Sequence, residues 1–307
     1  MAHQNTSCPS FQATLRLVGS DDMKTLSAAS LVADTRCGLG ESPFWDPHAE
    51  ALSWIDIQTS TLHSFSDTDG LSTSRLPRGS TFAASAAAGG IVVAHPRGVD
   101  HIARDGSTRG AAPPWLDPES STTNDGAIDS RGRLWVGSTT RDRDPGAGGI
   151  GVVADGAWDE RMHGMTLPNG IGWSRDDRII YYVDTLAETV WKAEFDVEST
   201  ILGQARPFFE MPASDGLLDG LAVDVEGGVW VALWGGSSVL RIDPAGRIAG
   251  RVTVDAPKVT SCAFVGETLF ITTANPNGTD AAGSGGLFAA HVGVEGVPVE
   301  PALFTWV

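Results

Sequence analysis

The sequence predicts an all-β protein, a six-bladed β-propeller with a metal site on its central axis. A unit recurs along the chain, in which a polar or small residue precedes an apolar run, a turn rich in Asp and Gly, and a second apolar run. Its six anchor positions, 41, 83, 124, 169, 219 and 261, lie 41 to 50 residues apart, and propeller blades take about 40–50 residues each. A β-sandwich and a two-domain α/β protein are the alternatives, and the second is disfavoured because no stretch sustains a helical apolar period.

The clearest unit lies at residues 217–236, with the sequence LLDGLAVDVEGGVWVALWGG. The pair Asp219-Gly220 opens it, and the apolar run 221–223 follows. A polar turn at 224–228 leads into the second run, 229–233. Two short apolar runs joined by a turn that contains Gly predict a β-hairpin, with the acidic side chain offered at the start of its first strand.

The other units repeat this hairpin with different residues at the anchor. A third strand is predicted in five units, at residues 62–65, 99–102, 189–193, 239–242 and 286–289. The strand at 31–34 precedes the first unit, and we expect it to complete the last blade near residues 286–292, because closing the ring removes a free sheet edge. Residues 1–22 stand outside the repeat as an N-terminal extension, and residues 23–307 are expected to form a single domain.

Composition excludes several classes of function. The formal net charge of −17 opposes binding to nucleic acids and to anionic membranes, because both depend on Lys and Arg. No apolar run approaches the roughly 18 residues of a membrane span, and the N-terminus lacks the basic and then apolar order of a secretory signal. A cytoplasmic protein is expected. Three cysteines without metal-ligand spacing argue against a disulfide framework, and Cys262, within an apolar run, is expected to be a buried thiol.

The anchor residues predict the functional site. Glu41, Asn169 and Asp219 occupy equivalent places in separate blades, and equivalent places in a closed ring converge on its axis. Two carboxylates and an amide suit a hard divalent cation, Ca²⁺, Mg²⁺ or Mn²⁺ before a metal that prefers thiolates. Taken alone, Glu41 could equally be a solvated loop residue. Asn124 could bind a ligand hydroxyl or a metal, or it could only form an Asx turn.

Three neighbouring features have a less certain role. Asp184, after the second strand of its unit, and Asp56, at the same place in the first unit, could orient a ligand or cap a strand. Asp125 is expected to hold a turn or strand end. The charged, Gly-rich loop at 141–149 could overhang the site, although a solvated loop is the simpler interpretation.

From about Cys37 to the C-terminus, the chain resembles the family of senescence marker protein, gluconolactonase and regucalcin-like proteins. The resemblance rests on motifs in a fixed order, namely Gly40-Glu41-Ser42-Pro43, Asn124-Asp125-Gly126, Asn169-Gly170 with Tyr182-Val183-Asp184, and Asp219-Gly220 with Leu233-Trp234-Gly235-Gly236. It implies a six-bladed propeller with one divalent cation on the axis, held by Glu41, Asn169 and Asp219, with Asn124 facing the substrate. It also implies hydrolysis of sugar-acid lactones, small-molecule substrates.

One position departs from the family pattern. Many sugar-lactone hydrolases of the family look like Arg-x-Asn-Asp at this place, with an arginine where this chain has Thr122. A threonine offers a single hydroxyl group in place of the charged, forked guanidinium group of arginine. We therefore predict a metal-dependent lactonase in which Asp219 is the catalytic residue, as the general base or only as a metal ligand that assists a metal-bound hydroxide, and in which Asn124 and Thr122 bind substrate. The alternatives are an aryl-ester or phosphotriester hydrolase on the same metal site, and a non-enzymatic propeller that binds calcium or a protein. The cation could be Ca, Mg, Mn, Zn or Fe, and the sequence predicts no oligomeric state.

Overall fold

A computed structural model describes residues 24–112, 116–154, 157–279 and 281–303. The predicted N-terminal extension, residues 1–22, lies outside the described residues. The described residues form six sheets in chain order around a centre, antiparallel except for one added strand, which confirms the six-bladed β-propeller. Apart from short 3-10 turns at Thr185–Ala187 and Ala213–Asp215, the elements are strands.

Two strands precede the first blade, and the first three blades follow in order, each with four strands. The N-terminal strands are β1 (Thr25–Ala28) and β2 (Ser30–Ala33). The strands of blade 1 are β3 (Gly40–Asp46), β4 (Ala51–Asp56), β5 (Thr61–Ser66) and β6 (Gly70–Arg75). Those of blade 2 are β7 (Phe82–Ser85), β8 (Ile91–His95), β9 (Gly98–Ile102) and β10 (Thr108–Ala112). Those of blade 3 are β11 (Ser121–Ile128), β12 (Leu134–Thr140), β13 (Gly148–Ala154) and β14 (Ala157–Met165).

The last three blades keep the same plan, with a divided outer edge in blade 4. The strands of blade 4 are β15 (Pro168–Trp173), β16 (Ile179–Asp184), β17 (Thr189–Asp196), β18 (Ile201–Leu202) and β19 (Arg206–Glu210). Those of blade 5 are β20 (Leu217–Val223), β21 (Val229–Trp234), β22 (Ser238–Ile242) and β23 (Ile248–Thr253). Those of blade 6 are β24 (Val259–Val265), β25 (Thr268–Thr273) and β26 (Leu287–His291).

The N-terminal strands complete two blades. Strand β2 pairs antiparallel with β26, with Leu31 opposite Phe288, so the predicted ring closure is confirmed. Strand β1 adds a fifth, parallel strand to blade 5, with Ser27 opposite Val252. The sequence did not predict β1, because a four-residue strand that pairs with a distant segment leaves no local pattern.

The hydrophobic core is a ring. Six clusters of buried apolar side chains are present, and each lies between two adjacent blades. Trp54, Trp135 and Trp230 are fully buried and lie on the second strands of blades 1, 3 and 5. Because every blade packs on both neighbours, the first strands β3, β7, β11, β15, β20 and β24 are held in a closed circle around the axis.

The two ends of the propeller differ. We call the end where the six first strands begin the front end, and the end where they finish the tail end. At the tail end the C-terminal segment donates from the amide of Val297 to Val223 O in blade 5 and from that of Ala302 to Ser85 O in blade 2, both at 2.8 Å. Blades 2 and 5 stand on opposite sides of the ring, so the segment 297–302 crosses the axis there.

None of the helical segments in the described ranges has the length and apolar character that crossing a membrane would require.

Candidate active site

A β-bulge interrupts the first strand close to each polar anchor at the front end. The bulges lie between Glu41 and Phe44, Thr123 and Gly126, Asn169 and Ile171, Leu218 and Leu221, and Val259 and Ser261. In blade 2, which has no polar anchor, β7 pairs with β8 in regular register. An extra residue in one strand re-aims the side chains beside it. The bulges thus turn polar side chains out of the sheets at one end of the ring.

The glycine after an anchor is required by close approach of the next blade. A Cβ atom on Gly170 would lie 2.4 Å from Leu221 N in blade 5, and one on Gly220 would lie 2.2 Å from Ser261 Oγ in blade 6. Any larger residue would push the first strands apart. The recurring pair of a polar residue and glycine therefore reflects how tightly the ring closes beneath the polar side chains.

Three carboxylates from three blades share the centre of the front end. Glu41 and Asp219 are each less than a tenth exposed. Burial, and then the charges of Asp219 and Asp125, raise the pKa of Glu41 well above its usual range. Burial and the charge of Asp125 likewise raise the pKa of Asp219, and burial raises the pKa of Asp125 to about 6. Carboxylates that act on one another in this way lie close together in a medium that solvates charge poorly.

These carboxylates have few donors of their own. Glu41 accepts a hydrogen bond from the backbone amide of Ser42, and Asp125 accepts one from the amide of Gly126 at 2.8 Å. None of the ion pairs formed by the described residues involves these carboxylates. Because buried charge without a partner is costly, the cluster suits an added cation.

Asn169 completes a set of oxygen ligands, and its orientation is fixed by Thr185. The Thr185 hydroxyl donates its single proton to Leu218 O at 2.7 Å, so its oxygen must accept from Asn169 Nδ2 at 2.8 Å. The amide therefore directs its NH₂ group toward blade 5 and its Oδ1 atom the other way, where Asn124 Nδ2 lies at 2.9 Å. This donor set of carboxylate and amide oxygens fits a hard divalent cation.

Asn124 contacts the predicted ligand Asn169 directly. Its Nδ2 atom donates both to Asn169 Oδ1 and, at 2.8 Å, to Pro168 O. With both protons engaged, Asn124 can act on a bound molecule only through its Oδ1 atom, as an acceptor. The side chain is half-buried, so the structure holds it at the rim of the cluster.

The Thr122 hydroxyl bonds to the backbone of its own strand. It donates to the backbone oxygen of Thr123 at 3.0 Å, so its proton is engaged within the protein. The side chain can still accept a hydrogen bond, but the structure gives it no donor to offer a substrate.

Asp184 acts on the backbone that precedes Asn169. Its two carboxylate oxygens accept from the amides of Thr166 and Leu167 at 2.9 and 3.0 Å. Asp56 accepts in the same way from Gly38 and Leu39, at 3.3 and 3.0 Å. In both blades the bonded amides lie three and two residues before the anchor. These aspartates therefore fix the entry of the anchor strand, and that they orient a ligand stays a prediction.

Two residues whose charges act on the carboxylates were not among the predicted site residues. Asp125 was expected to hold a turn or strand end, but its charge acts on both Glu41 and Asp219. Arg143 lies in the loop at 141–149, for which the sequence left open both a solvated loop and one that overhangs the site, and its charge lowers the pKa of Asp219 against the larger effects of burial and Asp125. The sequence feature that could have identified Asp125 is its position next to Asn124, because a bulge can direct two adjacent side chains toward the axis.

No three His, Cys, Asp or Glu side chains within the described ranges form a group that could hold a metal ion by themselves. Amide oxygens or water would have to complete the coordination, as the set of Glu41, Asn169 and Asp219 already requires. Cys262, predicted to be a buried thiol, is buried and free.

Comparison with known families agrees with this arrangement of strands and anchors. The profile of the SMP-30/Gluconolactonase/LRE-like region matches residues 39–275, which include all the anchors discussed above. The chain belongs to this family, so the resemblance inferred from the motifs is confirmed.

Individual relatives span nearly all of the chain. A putative sugar lactone lactonase of Bacillus subtilis is 32% identical over 286 residues, 89% of this chain and 98% of that protein. A pentonolactonase of Haloferax volcanii is 33% identical over 260 residues, 83% of this chain and 88% of that protein. The crystal structure of regucalcin from Agrobacterium tumefaciens, described as a calcium-binding protein, superposes with a TM-score of 0.83 at 27% identity, over 91% of this chain and 98% of that one.

Proposed function

We propose that the protein is a metal-dependent hydrolase that opens lactones, most specifically those of sugar acids. One observation supports this above the others: buried Glu41 and Asp219 and half-buried Asp125, from three blades, form a carboxylate cluster without an ion-pair partner among the described residues. The names of the relatives in Bacillus and Haloferax, both lactonases, agree with it.

In this proposal Glu41, Asn169 and Asp219 hold one divalent cation. When bound, the cation supplies Lewis-acid polarisation of the lactone carbonyl and stabilises the negative charge that develops on its oxygen. Thr185 keeps the Oδ1 atom of Asn169 directed away from blade 5, and Asp184 keeps the start of β15 in place. Ca²⁺, Mg²⁺ and Mn²⁺ match the all-oxygen donor set better than metals that prefer thiolate, while Zn²⁺ and Fe²⁺ remain to be tested.

Asp219 is the proposed general base. It takes a proton from a water molecule as the water oxygen forms a bond to the carbonyl carbon, and it returns that proton to the ring oxygen as the ring C–O bond breaks. The products are a carboxylic acid and a hydroxyl on one opened molecule, so lactone and water are consumed in equal amounts. Asn124, through Oδ1, accepts a hydrogen bond from a substrate hydroxyl and holds the ring in place.

The test is an acid-release assay with a pH indicator. Protein stripped with EDTA is mixed with a panel of aldonolactones, and Ca²⁺, Mg²⁺, Mn²⁺, Zn²⁺ and Fe²⁺ are added back singly. We expect turnover of at least one lactone that depends on the added metal.

Two other results would redirect the proposal. Turnover of aryl esters or phosphotriesters in place of lactones would favour the alternative hydrolase, consistent with threonine at position 122. Metal binding measured by calorimetry, without turnover of any ester, would point to a non-enzymatic calcium-binding or protein-binding propeller.

A further inference from the structure

A hydrogen bond between adjacent blades recurs just before each of the three predicted metal ligands, Glu41, Asn169 and Asp219. The carbonyl oxygen of the residue that precedes the ligand accepts from a side chain of the preceding blade around the ring. The three bonds, from donor to acceptor, are Thr260 to Gly40 O at 2.6 Å, Asn124 to Pro168 O at 2.8 Å and Thr185 to Leu218 O at 2.7 Å. Each predicted ligand is thus held from the blade beside its own.

Blades 2 and 3 bond their first strands differently. In blade 2, whose anchor Ala83 is apolar, Ser42 of blade 1 donates to the carbonyl of the anchor itself, at 3.0 Å. In blade 3 the carbonyl before Asn124, that of Thr123, accepts from Thr122 of the same strand. Among the described residues of these two blades, the position before the anchor therefore lacks the bond that accompanies the predicted ligands.

This bond fixes the direction of the ligand side chain. A peptide unit is planar, and the plane that contains the carbonyl of one residue ends at the Cα atom of the next. Holding Gly40 O therefore sets the plane from which the Cβ atom of Glu41 projects. The strand pairing alone fixes this plane less well, because a bulge follows directly between Glu41 and Phe44 and interrupts the ladder.

Glu41 depends strongly on such a bond, because a glycine precedes it. A Cβ atom at position 40 would lie 2.7 Å from Thr273 O, so close packing favours glycine there, and glycine has the widest conformational freedom of any residue. Thr260 is fully buried, and its Oγ1 atom also lies 2.9 Å from Thr272 Oγ1. The Thr260 hydroxyl is therefore fixed in the interior and restrains a peptide that could otherwise rotate.

The bond to Gly40 O also lies where the ring closes. Blade 6 is the last blade in the chain and blade 1 is the first, and the bond joins residues 220 positions apart. The peptide before Glu41 is therefore held only when blade 6 packs against blade 1.

We infer that Thr260 is a positioning residue for Glu41, and that it raises the affinity of the site for a divalent cation by holding Gly40 O. Asn124 and Thr185 hold the other two predicted ligands in the same way. A cation binds more tightly when its ligands are already in place, because ordering them then costs little of the binding free energy. This inference rests on the proposed metal-dependent function, since it requires Glu41 to be a ligand.

The experiment is a calorimetric titration of the EDTA-stripped full chain with Ca²⁺, Mg²⁺, Mn²⁺, Zn²⁺ and Fe²⁺, each alone. Thr260→Val removes the hydroxyl and keeps the shape of the side chain, and we expect the dissociation constant of the metal that binds to rise about tenfold. Thr260→Ser keeps the hydroxyl and should bind as the wild type does. If Thr260→Val does not fold, Thr260→Ala removes the same group without a clash and carries the same expectation.

The matched control is Thr273→Val. Thr273 is likewise fully buried in blade 6, but its hydroxyl donates to Gly286 O, just before β26 of the same blade, at 2.8 Å. Each valine variant loses one buried hydrogen bond, so the two should lose similar stability in urea. Only Thr260→Val should lose metal affinity.

Three results would overturn the inference. Equal losses of affinity in Thr260→Val and Thr273→Val would mean that the Thr260 hydroxyl serves only the fold. Unchanged affinity in Thr260→Val would show that Glu41 is placed without this bond, while metal binding and lactone turnover of the wild type would leave the proposed function intact. A wild type that binds none of the five cations would overturn the proposed function, and this inference with it.

Discussion

Buried carboxylates lie at both ends of this propeller, in opposite surroundings. At the tail end, Asp224 is fully buried and accepts four hydrogen bonds, including one from Trp230 Nε1 and one from Arg241 Nε, both at 2.8 Å. Asp129 accepts in the same way from Trp135 Nε1 at 2.9 Å and from Arg133 Nε at 2.7 Å.

At the front end, the described residues provide no corresponding arginine or tryptophan donors to Glu41, Asp125 and Asp219. Glu41 and Asp125 each accept from the amide of the following residue. The charges of Asp219 and Asp125 add to burial in raising the pKa of Glu41, and the charge of Asp125 adds to burial in raising that of Asp219. A buried carboxylate with a purely structural role is paired with a cationic side chain and hydrogen-bond donors of the same chain, because an unpaired charge in the interior would cost several kcal/mol. Three carboxylates left without such partners indicate a site whose counter-charge comes from outside the chain.

The largest expected effect tests the front end. Asp219→Ala should abolish metal binding and reduce turnover about a thousandfold or more, because it removes both a ligand and the proposed base. Calorimetric metal titration and the acid-release assay measure the two losses. Asp215→Ala, which removes an exposed aspartate just before the same strand, is the control and should retain both. Full activity in Asp219→Ala would refute the site.

The next effect tests the tail end. Asp224→Ala should lower the free energy of unfolding by about 3–5 kcal/mol, because Arg241 and the indole N–H of Trp230 lose their buried acceptor. Urea denaturation measures this loss, and kcat of the folded fraction should be unchanged. Asp243→Ala breaks an ion pair with Arg247, whose side chain is 76% exposed, and should cost less than about 1 kcal/mol. A loss of activity without a loss of stability in Asp224→Ala would contradict the division between the ends.

The pH dependence of the metal-free protein sharpens the same comparison. Burial raises the pKa of Asp125 to about 6, so the folded chain keeps a proton that the unfolded chain releases near pH 4. Because the folded state then binds more protons, the free energy of unfolding should fall as the pH rises from about 4 to about 6. The contribution of Asp125 to this fall is about 3 kcal/mol. Glu41 and Asp219 act in the same direction.

Urea denaturation of EDTA-treated protein across this pH range measures the fall. Asp219→Asn should flatten it, because one carboxylate leaves the cluster, and saturating Ca²⁺ should restore stability at the high-pH end by binding only the folded state. A free energy of unfolding that rises with pH across the window would show that the carboxylates are paired within the chain after all.

The smallest expected effect concerns the orientation of Asn169. Thr185→Val removes the acceptor that holds the amide NH₂ group, and metal affinity should fall about tenfold, as is usual when a partner behind a ligand is lost. Thr189→Val is the control, since the Thr189 hydroxyl donates to Ala187 O at 2.7 Å and does not contact Asn169. Equal affinities in the two variants would mean that Asn169 is not a ligand or is oriented in another way.

The parts of the fold that could be predicted are local or periodic. The hairpin at 217–236 could be recognised because apolar runs and Gly-containing turns follow from backbone sterics alone, and its repetition gave the six blades. Strand β1 could not, since its parallel pairing with β23 joins segments more than 200 residues apart. The C-terminal segment that crosses the tail end leaves no pattern either, because Val297 and Ala302 bind through their backbones.

For the site, the sequence by itself determined which oxygen-bearing residues stand at equivalent places: Glu41, Asn124, Asn169 and Asp219 follow from the spacing of the repeat. Only the tertiary structure decided that the charge of Asp125 acts on Glu41 and Asp219. The physical reason is the β-bulge. Successive side chains of a strand alternate between the two faces of a sheet only while the pairing register is regular. The bulge between Thr123 and Gly126 breaks that register. The surroundings of a charge depend likewise on burial and on neighbours from other blades, which come together only when the ring closes.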